Sequence, residues 1–185
     1  MYLNGVTGNI YAGFWLRLGS LLLDFIFVIP LGFLTLYLNS RGQYIYFFTV
    51  IPSLAFGLWY NIYLSKRYGG TPGKLAGGIN IIRSDGGPID WKEAILRHIV
   101  LFALTILSVV MMISCVLSAD EATYARLSWL KQPQYLTTQS PIFFKVYNWA
   151  TYIWIYSEFI VLLTNKMKRA IHDYIAGTVI VKAIY

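Results

Sequence analysis

Four long apolar stretches, separated by polar and glycine-rich segments, dominate the pattern along the chain. They run from about residues 14–38, 44–64, 99–117 and 142–163. Each approaches the roughly 20 residues that a helix needs to cross the hydrocarbon of a bilayer. The first is too long for the apolar core of a signal peptide and has no convincing small-residue cleavage site, so it is expected to be a retained helix. Trp15, Trp59, Trp91 and Trp149 lie at or near the segment ends, where indole rings favour the membrane interface. Trp154 lies somewhat deeper.

Between the second and third stretches, residues 65–98 carry punctuation rather than hydrophobic period. Gly69-Gly70-Thr71-Pro72-Gly73-Lys74 leads into the apolar run Ile79–Ile82, followed by Asp85-Gly86-Gly87-Pro88, a strong turn signal. Asp90 with Glu93 three residues later has the spacing of a capping box, which predicts an interfacial helix from Trp91. Gly177–Lys182 reads as a second short strand, and its natural partner is Ile79–Arg83, because neither is viable alone. The fold expected is an all-α membrane protein: a single domain over residues 1–185, with a four-helix transmembrane bundle and a small two-stranded cytoplasmic β-ribbon.

Composition fits this picture. Of 185 residues, 57% are hydrophobic and 12% charged, about half the roughly 25% charged residues of a soluble domain. The net charge of +7 is therefore not read as a nucleic-acid footprint. Basic residues set the orientation: ten fall in the loop 65–98 and the tail 164–185, against four in the opposite segments (Arg41, Arg126, Lys131 and Lys145). Cytoplasmic loops are the Lys/Arg-rich ones, so both termini and the middle loop are expected in the cytoplasm of a multi-pass protein. The connection around Ser40–Gly42 becomes a short external turn, and residues 118–141 a polar external excursion. A single cysteine, Cys115, excludes a disulfide framework, and two histidines make a His/Cys metal site improbable. No cofactor, metal site or catalytic constellation is expected, and so no enzyme. Gly69–Lys74 fails as a phosphate-binding loop, because Tyr68 stands at the first glycine and Leu75 where Ser or Thr would bind magnesium.

Candidate chemistry lies with ionisable groups inside apolar segments, which are functional candidates by default. Arg17 and Asp24 lie seven residues apart on one face of the first helix, about 10 Å along its axis. Arg17 can snorkel to the interface, whereas Asp24 lies roughly 21 Å from the outer helix end. Glu158 in the fourth segment is comparably deep, so the two carboxylates are expected near one layer. Pro30 and Pro52 fall at matching depths and free the carbonyls of Ile26 and Phe48. Freed carbonyls and buried carboxylates are the raw material of a cation or proton site. Asn61 is a further candidate ligand, read equally as hydrogen-bonding glue between helices. Two readings of Asp24 stay open: a structural pair with Arg17 or a cytoplasmic base, given the greater weight, and a transport site.

The chain resembles the RDD family of bacterial membrane proteins, named for one arginine and two aspartates. The resemblance rests on Arg17 and Asp24, on Gly70-Thr71-Pro72-Gly73-Lys74, on Gly78–Ile82 with Asp85-Gly86-Gly87-Pro88, on Arg97 before the third helix, and on Lys168–Thr178 with Asp173 as second aspartate. Leu75-Ala76-Gly77 departs from the more usual basic and leucine-rich run, and residues 118–141 look variable. The resemblance implies a bacterial inner-membrane protein for which transport of small ligands has been proposed, some members being similar to monovalent cation/proton antiporters. It implies that Arg17, Asp24 and Asp173 matter, and Asp173 meeting Arg17 would fix the tail to the first helix as an anchor or a gate. His172 and Arg97 join this structural or gating set, with Pro30 and Pro52. The partners expected are the lipid bilayer and a monovalent cation or proton. A second copy of the chain, or a membrane-protein partner docking on the loop and tail of a non-catalytic subunit, stays open as the alternative.

Overall fold

A computed structural model describes residues 10–183; the chain ends, expected in the cytoplasm, lie outside the described residues. Helix α1 spans Phe14–Asn39. A 3-10 turn, Gln43–Ile45, leads into α2, Tyr46–Leu58, then a π-helical turn, Trp59–Tyr63, and α3, Leu64–Tyr68. After α4 (Pro72–Ala76) and β1 (Ile79–Arg83) comes α5, Trp91–Ser118, followed by α6 (Glu121–Arg126), α7 (Gln132–Gln139) and α8 (Pro141–Thr164). Helix α9 (Ile171–Ala176) and strand β2 (Thr178–Lys182) close the described chain.

Three helical stretches are long and apolar enough to cross a membrane: Phe14–Asn39, Gln43–Tyr68 and Trp91–Ser118. The expected fourth exists as the 24-residue helix α8, but Lys145, Asn148, Thr151 and Glu158 dilute its apolar character. In α1, Phe25, Ile26, Phe27 and Phe33 are all more than half exposed, and Ser20 is its one buried side chain, as befits a helix solvated by lipid. Its hydroxyls spend their donors on carbonyls four residues back, Ser20 on Leu16 at 2.8 Å and Thr35 on Leu31 at 2.7 Å, which keeps them satisfied without water. The interfacial helix expected at Trp91 and the third span are one continuous helix, begun by the Asp90 amide donating to Glu93 at 2.8 Å.

The chain divides into two compact units. The first is built from the chain up to Val28, Gly57–Val100 and the chain from Ile155 on. Its ribbon has the expected pairing, β1 antiparallel to β2 with Ile81 opposite Ile180. Ile79 and Ile81 point to one face, as the period of two demands, and pack with Ile89, Ala94, Ile180 and Ala12 into a small core. Ala12 also donates to the Ile180 carbonyl at 2.9 Å, and Lys182 to that of Ile10 at 2.8 Å. The segment before α1 thus covers the free edge of β2, a contact the sequence pattern does not announce.

The second unit comprises Ile29–Phe56 and Leu101–Trp154. Here residues 118–141 are not an open polar excursion. Asp120 caps α6 through the Thr123 amide at 2.8 Å, and Tyr124 and Leu136 are buried with Met111, Cys115 and Val116. The Tyr124 hydroxyl donates to the Asn39 carbonyl at 2.9 Å. Gln132 is buried and donates to the Tyr124 carbonyl at 3.3 Å. The polar residues that suggested a solvated loop are the hydrogen-bonding partners of a compact cap.

Candidate functional site

Two carboxylates organise the first unit. Asp173, in the first turn of α9, is completely buried. Its Oδ2 lies 2.7 Å from Arg17 Nη1 and accepts the Ala170 amide at 2.9 Å, while Oδ1 receives Arg97 Nη1. Arg97 Nη1 also reaches Thr178 Oγ1 at 2.7 Å. Burial pushes the Asp173 carboxyl up, but the charges of Arg97 and Arg17 overcome this and hold it below the ordinary carboxylate range. Arg17 further donates through Nε to the Ala12 carbonyl at 3.1 Å and through Nη2 to the Lys168 carbonyl. One side chain therefore ties α1 to the strand segment before it and to the tail.

The network continues through His172. Its Nε2 stands 2.9 Å from Arg97 Nη2 and its Nδ1 2.6 Å from Glu158 Oε2. A guanidinium has no acceptor, so Nε2 must accept, which places the proton of the neutral ring on Nδ1, beside Glu158 Oε2. Glu158 Oε1 accepts the His172 amide at 3.0 Å. Burial, then the Arg97 charge, lower the His172 pKa against the opposing pull of Glu158 and Asp173. With a neutral imidazole, two guanidiniums balance two carboxylates. Arg17, Arg97, Glu158, His172 and Asp173, drawn from α1, α5, α8 and α9, thus form one charge-balanced knot.

Asp24 does not join it. Of the two partners expected for it, Arg17 turns to Asp173, and the base that Asp24 meets is Lys74 of the loop. Asp24 instead receives the glycine-rich loop. Its Oδ1 accepts the Tyr60 hydroxyl at 2.6 Å and the Gly73 amide at 2.7 Å, and its Oδ2 accepts the Thr71 hydroxyl at 2.5 Å. Lys74 Nζ lies 3.5 Å from Oδ2 and donates to Thr71 Oγ1 at 3.0 Å. Thr71 starts α4 without capping it through its own side chain. The Gly73 amide, one of the groups a helix start leaves unpaired, takes its acceptor from another helix. The loop does cradle an anion, and the anion is the protein's own carboxylate.

Backbone proximity makes this docking possible. A β-carbon at Gly73 would collide with the Ser20 carbonyl and the Asp24 amide, and one at Gly77 with the Ser20 hydroxyl. Gly73 and Gly77 are spaced as the small-x-x-x-small pattern that lets helix backbones touch. That spacing was the available signal for the contact. Tyr60 arrives by another route: it sits in the π-helical turn, whose extra residue per turn shifts side-chain directions at sites of this kind. Asn61 donates through Nδ2 to the Gly57 carbonyl of its own helix at 3.0 Å.

Pro30 and Pro52 lie within α1 and α2 in the second unit, and Ile26 and Phe48, whose carbonyls they free, are largely exposed. Glu158 stands against His172 and Asp24 against the glycine-rich loop, so the two carboxylates take different partners. Among the described residues, no three His, Cys, Asp or Glu side chains could hold a metal ion together.

The RDD family model matches residues 11–177. The chain belongs to the RDD family. Neither the curated proteins nor the solved structures yielded a match. In this RDD protein the arginine and the second aspartate share one knot, and the first aspartate anchors a different one.

Proposed function

We propose that this RDD protein is a multi-pass transporter exchanging a small monovalent cation for protons at the Asp24–Lys74 pair. In this reading α8 is a fourth span, the ribbon and both chain ends face the cytoplasm, and the host membrane is a bacterial inner membrane. The observation that carries it is the place of the Lys74 ammonium, 3.5 Å from Asp24 Oδ2 and 3.0 Å from Thr71 Oγ1. Oxygen is the ligand a hard alkali cation prefers, and the ammonium already lies against a carboxylate and a hydroxyl oxygen that such an ion can share with water. Burial lowers the Lys74 pKa while Asp24 opposes, so this ammonium gives up its proton more readily than a solvated one. When Lys74 releases a proton and swings away, a cation takes its position and the net charge of the cluster stays at zero. One proton leaves for each cation that enters, and no covalent chemistry is involved.

The test is a pH-sensitive dye in proteoliposomes bearing a pH gradient, with Na⁺, K⁺ or Li⁺ added. Wild type is expected to collapse the gradient with at least one of them and Asp24→Asn with none, although the variant still purifies. Lys74→Gln should bind the cation without releasing a proton. Wild-type protein inert to all three cations at every pH would end this proposal.

A second reading is favoured by a different observation: every oxygen of Asp24 and Asp173 is answered within the chain, as in a permanent clamp. The protein would then be a non-catalytic subunit presenting a rigid ribbon to a second copy of itself or to another membrane protein. Asp24→Asn would in that case cost partner retention and leave ion movements untouched.

A further inference from the structure

Two arginines that neither network explains border a cavity of about 220 Å³ against the ribbon. Arg83, Ser84 and Arg169 supply its polar wall, and Tyr11, Met167 and Val179 its apolar one; no carboxylate lines it. Arg83 is held in a fixed plane, Nε 3.2 Å from Asp85 Oδ1 and Nη2 3.2 Å from Oδ2, with Asp85 itself fixed by the Gly87 amide at 2.9 Å. That fork leaves Arg83 Nη1 without a partner among the described residues. Arg169 has no carboxylate partner among the described residues. Its Nη2 donates to the Asp173 carbonyl at 2.9 Å, its guanidinium lies 4.1 Å from the Tyr174 ring centre, and its buried Nε has no acceptor.

The bland account is that basic residues gather on the cytoplasmic side of any membrane protein. Lys92, Lys166 and Lys168 satisfy that preference as free-swinging charges. It does not call for two guanidiniums immobilised around one concavity, one of them with its charge unanswered. Planar, pre-oriented guanidiniums are the side chains suited to paired hydrogen bonds with phosphate oxygens. The other wall decides the class of molecule. Tyr11, Met167 and Val179 offer nothing to a wholly solvated ion but suit the glycerol end of a lipid, and Met167 follows the last residue of α8 by three positions.

We propose that this cavity binds the phosphate of an anionic phospholipid headgroup, with Arg83 and Arg169 as its ligands. A free phosphate or phosphate monoester shares that chemistry, and the experiment separates the two sources.

The full-length protein in neutral detergent is titrated with a short-chain phosphatidylglycerol, with the matching phosphatidylcholine, and separately with inorganic phosphate. Thermal midpoint and lipid retention in native mass spectrometry are the readouts. Phosphatidylglycerol is expected to raise the midpoint and stay bound, and phosphatidylcholine to do neither. Arg83→Gln and Arg169→Gln should each weaken binding about fivefold, as expected for one basic residue at a membrane surface. Lys131→Gln, in the other unit, should leave it unchanged. Arg169 also supports the α9 backbone, so the half-exposed Arg83 provides the variant that keeps the fold. Displacement of the lipid by millimolar phosphate, with the same arginine dependence, would retain the oxyanion site and make a soluble ion its occupant. Unchanged affinity in Arg83→Gln, or an equal loss in Lys131→Gln, would overturn the proposal.

Discussion

Asp173 and Asp24 are both carboxylates, both stripped of most of their water, and they are neutralised in opposite ways. Asp173 faces two guanidiniums, and its side chain has no accessible surface. Asp24 faces two hydroxyls, one backbone amide and a single lysine, with 15% of its side chain accessible. Arginine keeps its charge at any physiological pH, whereas a buried lysine can lose it. The first arrangement is therefore permanent. The second rests on a lysine whose hold on its proton is weakened by burial, which is the basis of the exchange proposed above. The comparison teaches that burial of an acid in a membrane protein does not define its role; the chemistry of the counter-charge does.

The sharpest way to break this contrast is to remove the permanent knot. Asp173→Asn leaves Arg17 and Arg97 with Glu158 as the one carboxylate of the knot and no direct ion-pair partner, and breaking a buried pair in this way costs about 3–5 kcal/mol. The expected outcome, read by denaturant unfolding in micelles, is the largest loss of stability among these variants, with release of the tail from α1 seen as faster amide exchange over residues 165–182. A loss under about 1 kcal/mol would mean that the knot is not what fastens the tail, and the contrast with Asp24 would fail.

The looser cluster is best tested through a residue that carries no charge. Gly73→Ala puts a methyl group against the backbone of α1 at Ser20 and Asp24, an overpacking that typically costs about 1–3 kcal/mol. The loop around residues 69–78 is expected to undock, becoming cleavable by added protease, while the Asp173 knot and the tail stay protected. Simultaneous exposure of loop and tail would show that the two clusters form one cooperative element.

How much of this could be read in advance depends on which kind of bond holds each part. Ribbon pairing was legible because two strand-like segments on one side of a membrane have few other partners, and the start of α5 because a capping box is a local pattern. Arg17 meeting Asp173 followed from the family resemblance and the depth at which an arginine can sit. A base from the loop was among the partners expected for Asp24, and Lys74 is one, but its other partners were hidden for two reasons. One is a backbone amide, which has no residue identity to notice, and another is Tyr60, brought there by a π-helical turn that breaks the 3.6-residue period used to place side chains. Within residues 118–141, Tyr124 and Gln132 are polar in composition yet buried by tertiary hydrogen bonds, which composition alone does not reveal. The spacing of Gly73 and Gly77 was the one unused clue.

The smallest expected effect concerns the join between the permanent knot and α8, and it has a sign. His172 is held neutral: Nε2 accepts from Arg97, and a proton added there would face a guanidinium N–H. Its pKa in the folded protein is lowered, so the unfolded chain binds more protons once the pH falls below about 6.5. The contribution of His172 is therefore complete above that value and is lost as the pH drops toward the folded pKa, at no more than about 1.4 kcal/mol per pH unit. His172→Gln keeps a side chain able to bond Arg97 and Glu158 but cannot titrate. Wild type should lose stability between pH 7.5 and 5.5, and His172→Gln should lose less over the same interval, the difference between the two curves isolating this residue from His98. Parallel curves would mean that the imidazole is equally easy to protonate in both states. The Arg97–His172–Glu158 chain would then owe nothing to a neutral imidazole, and the line drawn here between a fixed knot and a yielding one would have to move.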